Sequence, residues 1–228
     1  MSILRAIINE ASIRFEFPTP FLNIKQLKNN KSDIHPFSLD EVFLILSSVR
    51  PDYHSYYTTR FFTGMRTGEI DGLKWKYVDF ERKLILVRET IVDGNQEEDA
   101  KTSHSIRDIQ MNQMVFEALL KQYRATSEKS EYVFCNLKGD ALAHRNVTKR
   151  VWHPLLKRLG LSSRKPYQSR HTAATLWLAA GEAPEWIAKQ LGHANTQMLF
   201  TVYSRYVPNL TRQDGSALET LIANHKEG

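Results

Sequence analysis

The chain has 228 residues, enough for one large domain or a domain with an appendage. Hydrophobic residues make up 42% of it, which supports a real core, and a formal net charge of +6 suits a polyanion such as DNA, although 25 acidic residues exclude a simple basic tail. The single cysteine, Cys135, excludes an internal disulfide and a zinc knuckle and points to a reducing cytoplasm.

Residues 2–11 read as a short helix with Ile3, Ile7 and Ile8 on one side, broken by Phe17-Pro18-Thr19-Pro20-Phe21. Residues 25–31 (KQLKNNK) form a polar, basic linker. Ser38-Leu39-Asp40-Glu41 is a capping box, and Phe37 and Val42 are placed as its hydrophobic staple. The helix it opens runs to about Ser48, and a second covers about residues 53–62. Thr67 is placed to cap a third, which carries Ile70 and Leu73. Residues 84–87 are a strand, whose continuous apolar run leaves the buried face open. Asp93-Gly94-Asn95 is a turn. A hairpin follows, with Lys101-Thr102-Ser103-His104-Ser105 near its tip and residues 106–110 returning. Met114, Val115, Leu119 and Leu120 space a helix. Val147, Val151, Leu155 and Leu159 mark another, which Gly160 ends and Pro154 is placed to kink. Further helices cover about 168–180, 184–191 and 196–206, with Gly181 and Gly192 as stops. The fold class is therefore mostly α with a small antiparallel β-sheet (α+β). No apolar run exceeds five residues (42–46 and 176–180 reach that), where a membrane helix needs roughly 20, and the N-terminus has no signal-peptide pattern.

Four residues carry chemistry. Arg66 lies in Thr63-Gly64-Met65-Arg66-Thr67-Gly68-Glu69, and Arg170 in Tyr167-Gln168-Ser169-Arg170-His171-Thr172. His193 ends Leu191-Gly192-His193, and Tyr203 follows ten positions later (203 − 193). Two guanidiniums can clamp the oxygens of a phosphodiester and stabilise charge that builds in a transition state. A tyrosine hydroxyl, once activated, can attack as a covalent nucleophile. Taken singly each is ordinary: a surface arginine, a histidine capping a helix, an aromatic in the core. Taken in order, with a lysine between the arginines, they resemble the tyrosine recombinases, or phage-type integrases. The resemblance runs from about Ser38 to about Pro208.

That resemblance implies a tyrosine recombinase catalytic-domain fold over residues 32–208. Residues 1–31 would be the remnant of a preceding core-binding domain and its linker, making the chain a fragment, and 209–228 a tail helix. It implies that Tyr203 attacks the scissile phosphate, leaving a 3′-phosphotyrosyl link and a 5′ hydroxyl. Arg66, Arg170 and His193 would bind the phosphate. Lys101 would protonate the leaving oxygen, with Lys83 and Arg107 as its competitors. Glu69 and His171 would support their neighbours by packing or hydrogen bonding. Two departures stand out. Tyr167 occupies a place where the family usually has histidine, and a phenol with an ordinary pKa of about 10 is a poor base at neutral pH. The nucleophile usually follows the Leu-Gly-His histidine by about nine residues; Tyr203 needs one more, Tyr206 about a further helical turn, so Tyr203 is preferred.

No phosphate-binding loop, His-Glu-x-x-His or acidic cluster is visible, so neither metal nor cofactor is expected. The partners implied are double-stranded DNA and three further copies in a synaptic tetramer, the fragment being monomeric alone. Two rivals remain. Residues 184–206 can be read as a helix-turn-helix in a binding module, and a type IB topoisomerase shares the chemistry. In the tail, Ser216-Ala217-Leu218-Glu219 is a second capping box. Its stripe of Leu218, Leu221 and Ile222 needs a docking surface, on a neighbouring protomer or on its own domain.

Overall fold

A computed structural model describes residues 2–21, 34–92, 95–97 and 106–203. Lys101, Tyr206, the linker and the tail over 209–228 lie outside them. The chain divides into two units, Met1–Asp33 and Ile34–Gly228. In the first, helix α1 spans Ser2–Phe15. It passes the expected stop at residue 11 because nothing before Glu16, which is left-handed at φ 49°, breaks it.

In the second unit the capping box is made in full. Ser38 Oγ accepts from the Glu41 N–H at 3.1 Å, and Glu41 returns the bond to the Ser38 N–H at 2.9 Å. Helix α2 (Leu39–Ser48) follows, with Phe37 and Val42 both buried. Helix α3 (Pro51–Thr63) starts on its proline and ends at left-handed Gly64, φ 61°. Short α4 (Thr67–Asp71) comes next. Strands β1 (Val78–Asp79), β2 (Leu84–Val87) and β5 (Arg107–Gln110) form one antiparallel sheet in the order β1-β2-β5. Leu84 pairs with Gln110 and Val87 with Arg107. The return strand is thus where the sequence puts it, but β3 (Thr90–Val92) and β4 (Asn95–Glu97) intervene as a separate two-stranded sheet. Val92 pairs with Asn95, and Lys101 follows β4 in sequence, outside the described residues. Strand β3 lies against α4. A Cβ on Gly68 would sit 2.4 Å from the Ile91 carbonyl oxygen, so only glycine fits there.

Helix α5 spans Gln113–Thr126. Helix α6 (His144–Val147) passes through a π-turn at Thr148–Trp152 into α7 (His153–Arg158). The wide turn stands just before Pro154, whose ring crowds the carbonyl four residues back and which has no N–H to donate. Helices α8 (Gln168–Ala179), α9 (Pro184–Leu191) and α10 (Gln197–Tyr203) complete the described chain. The main core gathers α2, α3, α5, α7 and the sheet around Trp152, which is fully buried; Phe37 meets it edge-on at 5.7 Å and Tyr57 stacks on it at 5.1 Å. A smaller apolar cluster joins α8, α9 and α10 through Leu178, Ile187, Leu191 and Leu199, and Tyr203 belongs to it. No helix among the described residues is long and apolar enough to cross a membrane.

Candidate active site

Three arginines converge on the C-terminal end of α9. The last carbonyls of a helix lack partners inside it, and here three successive ones each accept from a different guanidinium. Arg107 Nε donates to Gln190 O at 2.6 Å, Arg170 Nη2 to Leu191 O at 2.6 Å, and Arg66 Nη2 to Gly192 O at 3.0 Å. The backbone there is a Schellman turn. Gly192 is left-handed at φ 67°, its N–H donates to Lys189 O, and the His193 N–H donates to Ala188 O at 2.9 Å. His193 thus caps α9 with its backbone while its ring remains available. Its Nδ1 is buried with no partner among the described residues. Burial, then the charges of Arg170, Arg66 and Arg107, push its pKa down to about 4, so the imidazole is neutral at pH 7.

Arg66, not Thr67, is the N-cap of α4. A guanidinium has no acceptor to offer the helix, so only half a capping box forms: the Arg66 N–H donates to Glu69 Oε2 at 2.7 Å. The Thr67 hydroxyl, expected to cap, instead accepts from Arg60 Nη2 at 3.0 Å. Glu69 is 4% exposed and serves two arginines. Arg66 Nη1 reaches Oε1 at 2.7 Å, and Arg107 spans both oxygens at 2.9 Å. Burial alone would raise this carboxyl; the hydrogen bonds and charge of Arg107, then those of Arg66, outweigh it and hold the pKa at about 2. Arg107 is therefore an internal cation of the fold, not a surface competitor for Lys101. Lys83, the other competitor, lies with its Nζ over the Phe116 ring on α5.

Arg170 is buried near the start of α8. Its Nη1 donates to Gly64 O at 2.7 Å. A Cβ on Gly64 would meet Leu191 Cδ2 at 2.7 Å, so this glycine permits both the left-handed turn and the close approach of α9. Burial lowers the Arg170 pKa to about 10; the nearby Tyr167 opposes the fall and Arg66 adds to it. The guanidinium stays charged at neutral pH. Among the described residues, three guanidiniums thus face one carboxylate, Glu69. An open groove of about 460 Å³ runs alongside, lined in part by Arg107, Lys189, Gly192, His193 and Asn195.

Tyr203 stands at the edge of this cluster, 2% exposed. Its hydroxyl shares a hydrogen bond with His171 Nδ1 at 2.8 Å. Burial raises the phenol to about 12, and the Arg170 charge works against that rise. Burial, then the Arg170 charge, lower His171 to about 4. At neutral pH a protonated phenol therefore faces a neutral imidazole. Tyr167 is 42% exposed at the start of α8, its ring edge-on to His171 at 5.3 Å. The expected residues Arg66, Glu69, Arg170, His171, His193 and Tyr203 thus come together, and Tyr167 touches the group through its ring. Arg107 is the addition. Its signal was legible in part: it alternates with buried Ile109 on the inward face of β5.

Fold and cluster define a mostly helical domain that gathers arginines beside a buried tyrosine. The family model described as the phage integrase family matches residues 58–209. The chain belongs to that family. It is 27% identical over 227 residues to the prophage integrase IntR of Escherichia coli K12, covering 90% of this chain and 55% of that protein. It is 28% identical over 218 residues to a tyrosine recombinase XerC-like protein of Caldanaerobacter subterraneus, covering 84% of this chain and 54% of that one. The chain thus spans a little over half the length of these relatives. Among solved structures, the Tn1549 transposon integrase in complex with a circular intermediate DNA superposes with a TM-score of 0.76 at 20% identity, covering 94% of this chain and 76% of that one. A lambda integrase dimer bound to a core site gives 0.64 at 17%, covering 93% and 72%. These likenesses show the tyrosine recombinase catalytic-domain fold.

Proposed function

We propose that this chain carries the catalytic centre of a site-specific DNA recombinase, which cleaves and rejoins double-stranded DNA through a 3′-phosphotyrosyl intermediate. The observation that carries the reading is the pair of guanidiniums, Arg66 and Arg170, anchored on the end of α9, with Tyr203 close enough for the Arg170 charge to act on its hydroxyl. A scissile phosphate brings negative charge to these two guanidiniums. Arg66 and Arg170 each use two N–H groups on the protein in the bonds described, out of five on a guanidinium, so N–H groups remain to meet phosphate oxygens. His193, neutral, donates or accepts one further hydrogen bond there. Glu69 and Arg107 hold this frame and do not touch the substrate.

Tyr203 Oη attacks phosphorus and the 5′ oxygen leaves, taking a proton from Lys101. A 5′ hydroxyl of a second strand then reverses the step, so bond energy is conserved in the phosphotyrosine. The working assembly is four protomers on two duplexes. The two catalytic residues outside α8 to α10, Arg66 and Lys101, have no part in a helix-turn-helix binding module, and Glu69 and Arg107 have no reason there to be buried as a pair. The test is incubation with a nicked suicide duplex, then a denaturing gel and peptide mapping. The expected product is a covalent adduct at Tyr203. Binding without an adduct would reduce the protein to a binding module, and relaxation of supercoils without strand exchange would make it a topoisomerase.

A further inference from the structure

Attack by Tyr203 requires its proton to go somewhere, and the structure assigns the acceptor: we propose that His171 Nδ1 is the general base of the cleavage step, in place of Tyr167. This rests on the recombinase reading above. His171 is next to Arg170 on α8, so the helix that fixes the clamp also fixes the base. The ring lies between two aromatic neighbours, Tyr167 edge-on at 5.3 Å and Tyr203 tilted at 5.6 Å. Its Nδ1 is 2.8 Å from the Tyr203 hydroxyl oxygen, within reach for direct proton transfer. The other candidates are worse placed. Tyr167 is solvent-exposed and its described contact is through its ring, not its hydroxyl. His193 lies among the arginines, and its buried Nδ1 bonds to nothing among the described residues.

With its own proton on Nε2, His171 holds an open lone pair on Nδ1 facing the phenol O–H. As the Tyr203 oxygen forms its bond to phosphorus, its proton passes to Nδ1 and the imidazole becomes imidazolium. The phosphorus bond to the 5′ oxygen breaks, and that oxygen takes its proton from the general acid. In rejoining, the incoming 5′ hydroxyl returns its proton to the deprotonated general acid as its oxygen bonds to phosphorus, the phosphorus bond to Tyr203 breaks, and Tyr203 leaves as the phenol with the proton His171 returns. Substrate strengthens this base. Partly buried and beside Arg170, the ring resists protonation; a bound phosphate offsets the Arg170 charge and makes imidazolium easier to form.

The experiment is single-turnover cleavage of the nicked suicide duplex by the full chain, in wild type, His171→Ala, His171→Asn and His171→Gln. Asparagine and glutamine keep a polar side chain that can accept from Tyr203 but cannot take its proton, and they guard against a folding defect in the alanine variant. All three should cleave on the order of 10²-fold more slowly or worse, with duplex binding and melting temperature close to wild type. Added imidazole should restore part of the rate to His171→Ala. Cleavage by His171→Asn at the wild-type rate would show a residue that only positions Tyr203 and would overturn the proposal. An adduct mapped to another tyrosine would overturn it while leaving the recombinase reading intact. No adduct from wild type would overturn both.

Discussion

Arg60 and Arg66 are separated by one turn and a loop, yet their surroundings differ in kind. Arg60 is 1% exposed on α3. It donates to the Tyr56 hydroxyl and to the Thr67 hydroxyl, both at 3.0 Å, and Tyr56 in turn donates to Asp71 at 2.6 Å. One cation answers one carboxylate. Burial works to lower the Arg60 pKa, but Tyr56 and Asp71 outweigh it and the pKa rises. Around Arg66, among the described residues, three cations answer one carboxylate, and the pKa of the most buried of them, Arg170, falls instead. A buried arginine is therefore no sign of function in itself. The sign is a surplus of positive charge over the described carboxylates, with N–H groups of Arg66 and Arg170 to spare in the bonds described. The balanced cluster also serves the other, because Arg60 holds Thr67, the residue next to Arg66.

The largest expected effect tests the unbalanced region. Tyr203→Phe removes one hydroxyl from a buried ring and should abolish the covalent adduct while duplex binding stays near wild type. Adducts from that variant, absent in Tyr206→Phe, would move the nucleophile. Next come the cations. Arg66→Lys and Arg170→Lys keep a charge but lose the fork that reaches carbonyl and phosphate together, so cleavage should fall on the order of 10²-fold or more. Near-normal single-turnover rates in either would sink the clamp.

The same comparison predicts an opposite profile for Arg60. Arg60→Met strands Asp71 and should cost about 3–5 kcal/mol in urea unfolding, while the folded protein cleaves far better than Arg170→Lys. Equal loss of cleavage in the two would erase the distinction between the clusters. Glu69 adds a pH signature. Its folded pKa, about 2, lies below the ordinary 4.5, so its contribution is present above pH 4.5 and is lost as pH falls from there toward 2. Unfolding free energies of wild type should drop by on the order of 3 kcal/mol across that window from this group. In Glu69→Gln that part of the slope should vanish; an unchanged slope would mean that other carboxyls carry it.

Much of this was legible because it is local. The Ser38 to Glu41 box, the proline start of α9 and its glycine stop are sequence signals acting over a few residues, and the structure forms each of them. What failed was also physical. Threonine is a better N-cap than arginine by propensity, but the Thr67 hydroxyl is claimed by a side chain seven positions earlier. Residues Glu69 and Arg107 are 38 apart, and His171 and Tyr203 are 32 apart; no periodicity links such pairs. His171 therefore read as a packing residue beside Arg170, and Arg107 as a basic residue on a hairpin. Lys101 and Tyr206, both weighed from the sequence, lie outside the described residues.

The smallest expected effect is the most direct measure of the surplus. In the protein alone, burial and three arginines hold His193 at about 4. An anion held by Arg66 and Arg170 cancels part of that charge, and the imidazolium then costs less to form. Sulfate carries the size and charge of a phosphate group, so it stands in for the scissile phosphate without any chemistry. In an NMR titration of the histidine Cε1 protons, saturating sulfate should raise the His193 pKa by about one pH unit. Chloride at matched ionic strength is the control. A rise of the same size in chloride would mean ionic screening acting on the whole surface. If His193 stays at about 4, the arginine surplus is not an anion site, and the contrast between the two clusters loses its meaning.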